Sequence, residues 1–315
     1  MRKLGLVIAL LGASALAPAL SHAQSPDAFA KALHIYGSYR VVPDITYLTA
    51  NNWEAKLDVY QARDATTPNP TLVYFHGGGW VAGSKEASSL TFLPFLSMGW
   101  NVVNVEYRLA KISLAPAAVQ DALCALRWVH RNGKEYNVDT NRLVVMGNSA
   151  GGHLALTTGM SPASESLDSL CPGNEELKVA AVINWYGITD VNELLAGANM
   201  RNFAVAWLGG MSNREQIAKR VSPLTYVRAG LPPIISIQGD ADPTVPYSQN
   251  VRLHQALDKA EIRNELVTIP GGKHGGFSDA EMTKAYAAIR AFLDKQNIVR
   301  QTTNRKEEHT VSFGG

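Results

Sequence analysis

The sequence predicts an α/β fold, a mostly parallel and twisted sheet with helices on both faces. Two observations predict it. Short apolar runs at 71–76, 101–107, 142–146, 179–186, 233–238 and 265–269 alternate with helical patterns, clearest at 115–132, 150–160, 248–260 and 279–296. Parallel neighbours need such crossover connections, whereas hairpin-linked strands do not. The second observation is Gly147-Asn148-Ser149-Ala150-Gly151, where the run 142–146 turns directly into a helical pattern. A serine between two glycines at a strand-to-helix junction reads as a nucleophile, because only glycines let the two arms of so sharp a turn approach closely.

Taken from the amino end, Met1-Arg2-Lys3 is basic, residues 4–19 are small and apolar, and Ser21-His22-Ala23 offers a small-x-small site. Residues 1–23 are therefore expected to be a signal peptide cut after Ala23, sending the chain to the periplasm or outside the cell. The apolar stretch is short of the 18 or more residues of a spanning helix, so no membrane anchor is expected. The whole chain has 29 basic and 27 acidic residues. Loss of Arg2 and Lys3 with the leader leaves 27 of each, a balance that does not favour nucleic acid as a partner. Residues 24–297 suit a single domain. Its first part, 24–40, reads as an opening segment, and 44–61 as two strands around the turn Asn51-Asn52. The longest connection, 187–231, is expected to form a small insertion over the site, and the polar stretch 298–315 to be a disordered tail. Cys124 and Cys171 are the only cysteines, and in an oxidising compartment they are expected to pair. Closing that loop is worth about 4 kcal/mol in the chain-entropy treatment.

A serine hydroxyl is a poor nucleophile at neutral pH, so Ser149 needs a base within reach and an acid to orient that base. In folds with this elbow the chain order is nucleophile, acid, histidine. That order leaves His254, His274 and His309. His254 falls in a helical pattern and His309 in the tail, whereas His274 follows an apolar run and sits among Gly271, Gly272, Gly275 and Gly276. It is the expected base. For the acid, Asp240 and Asp242 compete in the loop after 233–238; Asp242, held by Pro243, is the preferred choice, with Asp240 bracing the loop. Backbone N–H groups of Gly78, Gly79 and Ala150 are the expected oxyanion donors, and His76 and Gly77 the residues that shape their loop. Trp80, Trp185 and Tyr186 are candidates for lining the substrate pocket, with a packing role equally open for Trp80 and the commoner one for aromatic residues placed like Trp185 and Tyr186. His153, one turn after Ser149, is expected to be packed or hydrogen-bonded rather than catalytic. This chemistry calls for no metal and no organic cofactor.

Seven segments in order, HGGGW at 76–80, VNVEYRLA at 103–110, APAAVQDALCALRWV at 115–129, GNSAGGHLAL at 147–156, NWYGITD at 184–190, GDADPTVP at 239–246 and GGKHGGF at 271–277, carry a family resemblance. Over about residues 45–295 the chain resembles the α/β-hydrolase esterases related to hormone-sensitive lipase, and more closely their bacterial feruloyl and acetyl-xylan esterase-like branch. The resemblance implies the α/β-hydrolase fold, the triad Ser149, Asp242 and His274, oxyanion donors Gly78, Gly79 and Ala150, and a structural pair of Arg108 with Asp121. It implies a carboxylesterase acting on small or polysaccharide-linked esters, feruloyl or acetyl esters of plant polysaccharide among them. Two departures stand out. Asn148 replaces the aspartate usual before the nucleophile, and only residues 24–44 are available for the helical cap of the lipase-related proteins, so a small or absent cap is expected. Two other readings compete, an amide, formamide or peptide hydrolase of the same fold and a noncatalytic binding protein, the latter disfavoured because every triad candidate is present.

Overall fold

The computed structural model describes residues 33–35 and 37–299. The expected leader 1–23 and the tail from residue 300 lie outside the described residues. Ile298 corrects the tail's expected start: it is buried, and its N–H donates to the Leu293 carbonyl at 3.2 Å. Residues up to Gly37 form a unit of their own, of which only a short helical stretch is described. The body begins at Ser38. Among its described residues, no helix is long and apolar enough to cross a membrane.

Eight strands build one sheet: β1 (Tyr39–Ala50), β2 (Trp53–Ala62), β3 (Asn69–Phe75), β4 (Asn101–Val105), β5 (Val138–Asn148), β6 (Ala181–Trp185), β7 (Ile234–Gly239) and β8 (Asn264–Ile269). Their order is β1-β2-β4-β3-β5-β6-β7-β8, with β1, β2 and β4 paired antiparallel and every other neighbour parallel. The α-helices are α1 (Leu93–Ser97), α2 (Ala117–Asn132), α3 (Ala150–Met160), α4 (Asn202–Leu208), α5 (Arg214–Arg220), α6 (Tyr247–Lys259) and α7 (Asp279–Lys295). The first hairpin closes at Asn51 and Asn52 with φ of 53° and 54°. Positive φ at both central residues is what a two-residue turn needs to match strand twist, and asparagine tolerates it. β1 starts at Tyr39, earlier than the sequence suggested, so part of the segment available for a cap is committed to the sheet.

All seven residues of β3 and all five of β4 and of β6 are buried. Strands covered on both faces read as continuous apolar runs, and this is why they were visible in the sequence. Side chains alternate across the sheet. On β6 the Asn184 amide turns toward α6, donating to Asn250 Oδ1 at 2.8 Å, while Trp185 next to it turns the other way and lies against Tyr286 of α7. α2 ends one side of a cross-link, since Cys124 is joined to Cys171 by a disulfide spanning 47 residues, with Cα atoms 5.6 Å apart. Arg108, just past β4, is buried with Asp121 of α2: its Nε donates to both carboxylate oxygens at 3.0 and 2.9 Å, and its backbone N–H to Oδ2 at 2.7 Å. That pair fixes the chain as it leaves the sheet, the structural part expected of it.

Candidate active site

Loops from the carboxyl ends of β3, β5, β6, β7 and β8 converge on one edge of the sheet, the place where ligands bind in such folds. At the end of β5, Ser149 has φ 56° and ψ −119°, backbone strain of the kind that collects at functional sites. Its N–H donates to the Trp185 carbonyl at 2.8 Å and its own carbonyl accepts from His153 N–H at 3.0 Å, so the turn is held from both sides. The flanking glycines are required by space. A Cβ on Gly147 would lie 2.3 Å from the Gly151 carbonyl carbon, and one on Gly151 would lie 2.0 Å from the Phe75 oxygen.

The structure brings Ser149, His274 and Asp242 together. His274 Nε2 lies 2.8 Å from Ser149 Oγ, and His274 Nδ1 lies 2.8 Å from Asp242 Oδ2. The Asp242 side chain is fully buried while that of His274 keeps slight exposure. Oδ1 of Asp242 accepts from the N–H groups of Thr244 and Val245 at 2.8 and 3.0 Å, and Oδ2 also accepts from Gln238 Nε2 at 3.2 Å. Burial pushes this carboxyl upward. The hydrogen bond and charge shared with His274, with the two backbone donors, outweigh burial and hold it below its ordinary value. Asp240 does something else, its Oδ1 accepting from Gly271 N–H at 2.6 Å and so joining the acid loop to the histidine loop.

The glycine loop after β3 abuts the elbow: a Cβ on Gly77 would lie 2.9 Å from Asn148 Nδ2. Gly78 and Gly79 have φ of 120° and 60°, and the Gly78 carbonyl accepts from Val81 and Ala82 at 3.1 and 3.0 Å. This turn occupies the Gly78 carbonyl. Ala150 opens α3, where first-turn N–H groups have no partner within the helix. His76 is buried beneath the loop, its ring stacked on Tyr107 at 4.2 Å, and burial brings its pKa down to about 4. It is neutral at pH 7 and shapes the loop.

Behind His76, Glu106 Oε2 lies 3.7 Å from His76 Nε2 and accepts from Lys85 N–H at 2.7 Å. Burial pushes its carboxyl up to about 7. A carboxyl whose folded pKa exceeds its unfolded value stabilises the fold fully below the unfolded value, about 4.3, and loses that contribution as pH rises through the folded one. Glu106→Gln keeps the acceptor for Lys85 and cannot ionise. It should therefore raise Tm at pH 8, by the equivalent of about 2 kcal/mol once partial exposure is allowed for, with the gain vanishing toward pH 4. Calorimetric scans at both pH values check this; a gain that is the same at each would show that ionisation is not its cause.

Two of the expected pocket residues are not exposed. Trp80 is fully buried, stacked on Trp207 at 4.1 Å, with its Nε1 donating to His153 Nδ1 at 3.2 Å. Positive φ at Trp80, 59°, turns the ring inward. His153 completes the tie through Nε2, 2.6 Å from the Val221 carbonyl, and is neutral, burial bringing it down to about 4. Trp185 is likewise buried, against Tyr286 and Phe277. Tyr186 alone of the three stays half-buried beside the candidate triad, its ring 4.7 Å from that of His274. Sequence reasoning missed several residues that hold the loops of the site. Gln238 could have been noticed as a polar residue closing a buried strand just before the acid loop. Arg201, whose guanidinium donates to the Thr244 and Pro243 carbonyls of the acid loop, and Phe203, packed on Trp80 of the glycine loop, come from the insertion and carried no pattern.

The family model BD-FAE matches residues 57–257. Among curated proteins the chain is similar to Esterase LipC of Mycobacterium tuberculosis, 28% identical over 76% of this chain and 62% of that protein, and to Esterase LipQ of the same organism, 28% identical over 84% and 65%. The chain thus spans about three-fifths of the length of these relatives. Among solved structures it is similar to the native form of esterase Est2 from Thermogutta terrifontis, 28% identical with a TM-score of 0.70 over 85% of this chain and 95% of that one. A truncated carbohydrate esterase from gut microbiota shares the fold at 24% identity and a TM-score of 0.68, over 82% of this chain and 98% of that one.

Proposed function

From the premise that this chain belongs to the BD-FAE family, within the hormone-sensitive-lipase-like α/β-hydrolases, we propose that it is a carboxylic-ester hydrolase working through a Ser149, His274 and Asp242 triad. The observation that carries this reading is the unbroken chain of two 2.8 Å contacts from Ser149 Oγ through the imidazole to Asp242. Neutral His274, holding its proton on Nδ1 toward Asp242, presents a bare Nε2 to the hydroxyl. Ser149 Oγ attacks the acyl carbon as its proton passes to Nε2, and the new oxyanion is met by the N–H groups of Gly78, Gly79 and Ala150. The imidazolium, stabilised by buried Asp242, gives that proton to the leaving alcohol. Water then repeats the sequence on the acyl-enzyme and regenerates the serine. Each step uses groups of this chain and needs no cofactor.

The resemblance of seven segments to the feruloyl and acetyl-xylan esterase-like branch supports a substrate class of short acyl or feruloyl esters, free or linked to polysaccharide, and the leader-like residues 1–23 support their being met outside the cytoplasm. A disulfide between Cys124 and Cys171 agrees with export. Rates on acetyl, butyryl and feruloyl esters, each with and without an attached sugar, and on matched formamide and peptide substrates, test the reading. Esters should be turned over with kcat/KM at least tenfold above the amides, and sugar-linked acetyl or feruloyl esters should lead. Preference for amides would reject the reaction class, and preference for long acyl chains the substrate class.

A further inference from the structure

We infer that Arg201, from the insertion between β6 and β7, is a positioning residue for Asp242 that acts through two shared peptide groups. Its Nε donates to the Thr244 carbonyl at 2.8 Å and its Nη2 to the Pro243 carbonyl at 2.9 Å. The peptide carrying the Pro243 carbonyl is the one whose N–H belongs to Thr244, and the peptide carrying the Thr244 carbonyl is the one whose N–H belongs to Val245. Those two N–H groups are the donors that hold Asp242 Oδ1, at 2.8 and 3.0 Å. A cation on one end of each peptide and a carboxylate on the other make two parallel relays. A carbonyl that accepts from a guanidinium leaves its N–H a stronger donor, since linked hydrogen bonds polarise one another. Fixing Oδ1 in this way leaves Oδ2 directed at His274 Nδ1.

Arg201 is itself held in place. Its N–H donates to the Leu194 carbonyl at 2.9 Å, its carbonyl accepts from Ala204 and Val205 at the start of α4, and its Nη1 donates to the Met200 carbonyl at 2.9 Å. α4 meets the glycine loop as well: a Cβ on Gly79 would lie 2.8 Å from Phe203 Cβ, and Trp207 is stacked on Trp80. One short helix thus fixes the loop of the acid at its start and the loop of the oxyanion donors along its side. The insertion, expected from sequence only to lie over the site, braces two of its parts.

This inference rests on the triad reading above, and the experiment separates the two. Steady-state rates on an activated acetyl ester are measured for wild type, Ser149→Ala, Asp242→Asn, Arg201→Met, Arg201→Lys and the double variant Arg201→Met with Asp242→Asn. Arg201→Met should lower kcat about tenfold or more with KM within about twofold, since its guanidinium bonds only loop carbonyls and misplacement of a triad member costs rate. Arg201→Lys, which keeps the charge but not the fork, should recover part of the loss. Against Asp242→Asn the Arg201→Met change should be nearly silent, because the two residues act as one unit. A purely structural arginine would instead reduce both backgrounds by the same factor, and that result, or an unchanged kcat in Arg201→Met, overturns the inference while the triad stands. Should Arg201→Met not fold, Arg201→Lys is put through the same pairing with Asp242→Asn and judged by the same criterion. A tenth or more of wild-type kcat in Ser149→Ala would reject the triad reading and this inference with it.

Discussion

Ser149→Ala should lower kcat on an activated short-chain ester by about 10⁶, to the level of residual catalysis by the oxyanion donors and binding alone. The size of the loss follows from geometry. Ser149 Oγ is the atom at which the chain of hydrogen bonds from Asp242 and His274 ends, so its removal leaves the other two members with nothing to activate. Folding should be little affected. The strain at φ 56° belongs to the backbone, held by Trp185 and His153 through main-chain atoms that alanine also has. Active-site titration of the wild type alongside the variant excludes contaminating enzyme. A variant retaining a tenth of wild-type kcat would remove Ser149 from the mechanism.

Asp242→Asn should cost about 10⁴ in kcat, while Asp240→Asn should stay within about tenfold of wild type. Two aspartates two residues apart invite confusion, and their surroundings separate them. Asp242 is buried, faces His274 Nδ1 at 2.8 Å and is held below its ordinary pKa. An amide in its place lacks the charge that stabilises the imidazolium, and its NH₂ group turned toward Nδ1 would favour the wrong tautomer. Asp240 is exposed and bonds only the loop, through Gly271. Its loss loosens the joint between the acid and histidine loops without touching the proton path. Parallel kinetics of the two variants decide between them, and equal losses would mean that the loop's integrity, rather than the identity of the acid, sets the rate.

The sheet was legible because each strand from β3 to β7 is buried over all or much of its length, which favours a mostly apolar run between turn residues. The serine and histidine were legible for a related reason, standing at the carboxyl ends of such runs among glycines whose absence of a side chain is itself a sequence signal. Asp242 was legible only as the better of two neighbours. For the aromatic residues the sequence left pocket and core both open. Trp80 and Trp185 stand beside the site in sequence, yet the backbone turns the one against Trp207 and the other toward α7. Tyr186, next along the chain, reaches His274.

Local sequence determined where the chain turns, which segments are buried on both faces and where the candidate serine and histidine stand, because periodicity and turn chemistry act over a few residues. Tertiary structure alone decided which aromatic rings face the site and which fill the core, and that Arg201 reaches across 42 residues to the carbonyl of Pro243. Such contacts depend on how separate segments are docked, and no local pattern encodes the distance between them.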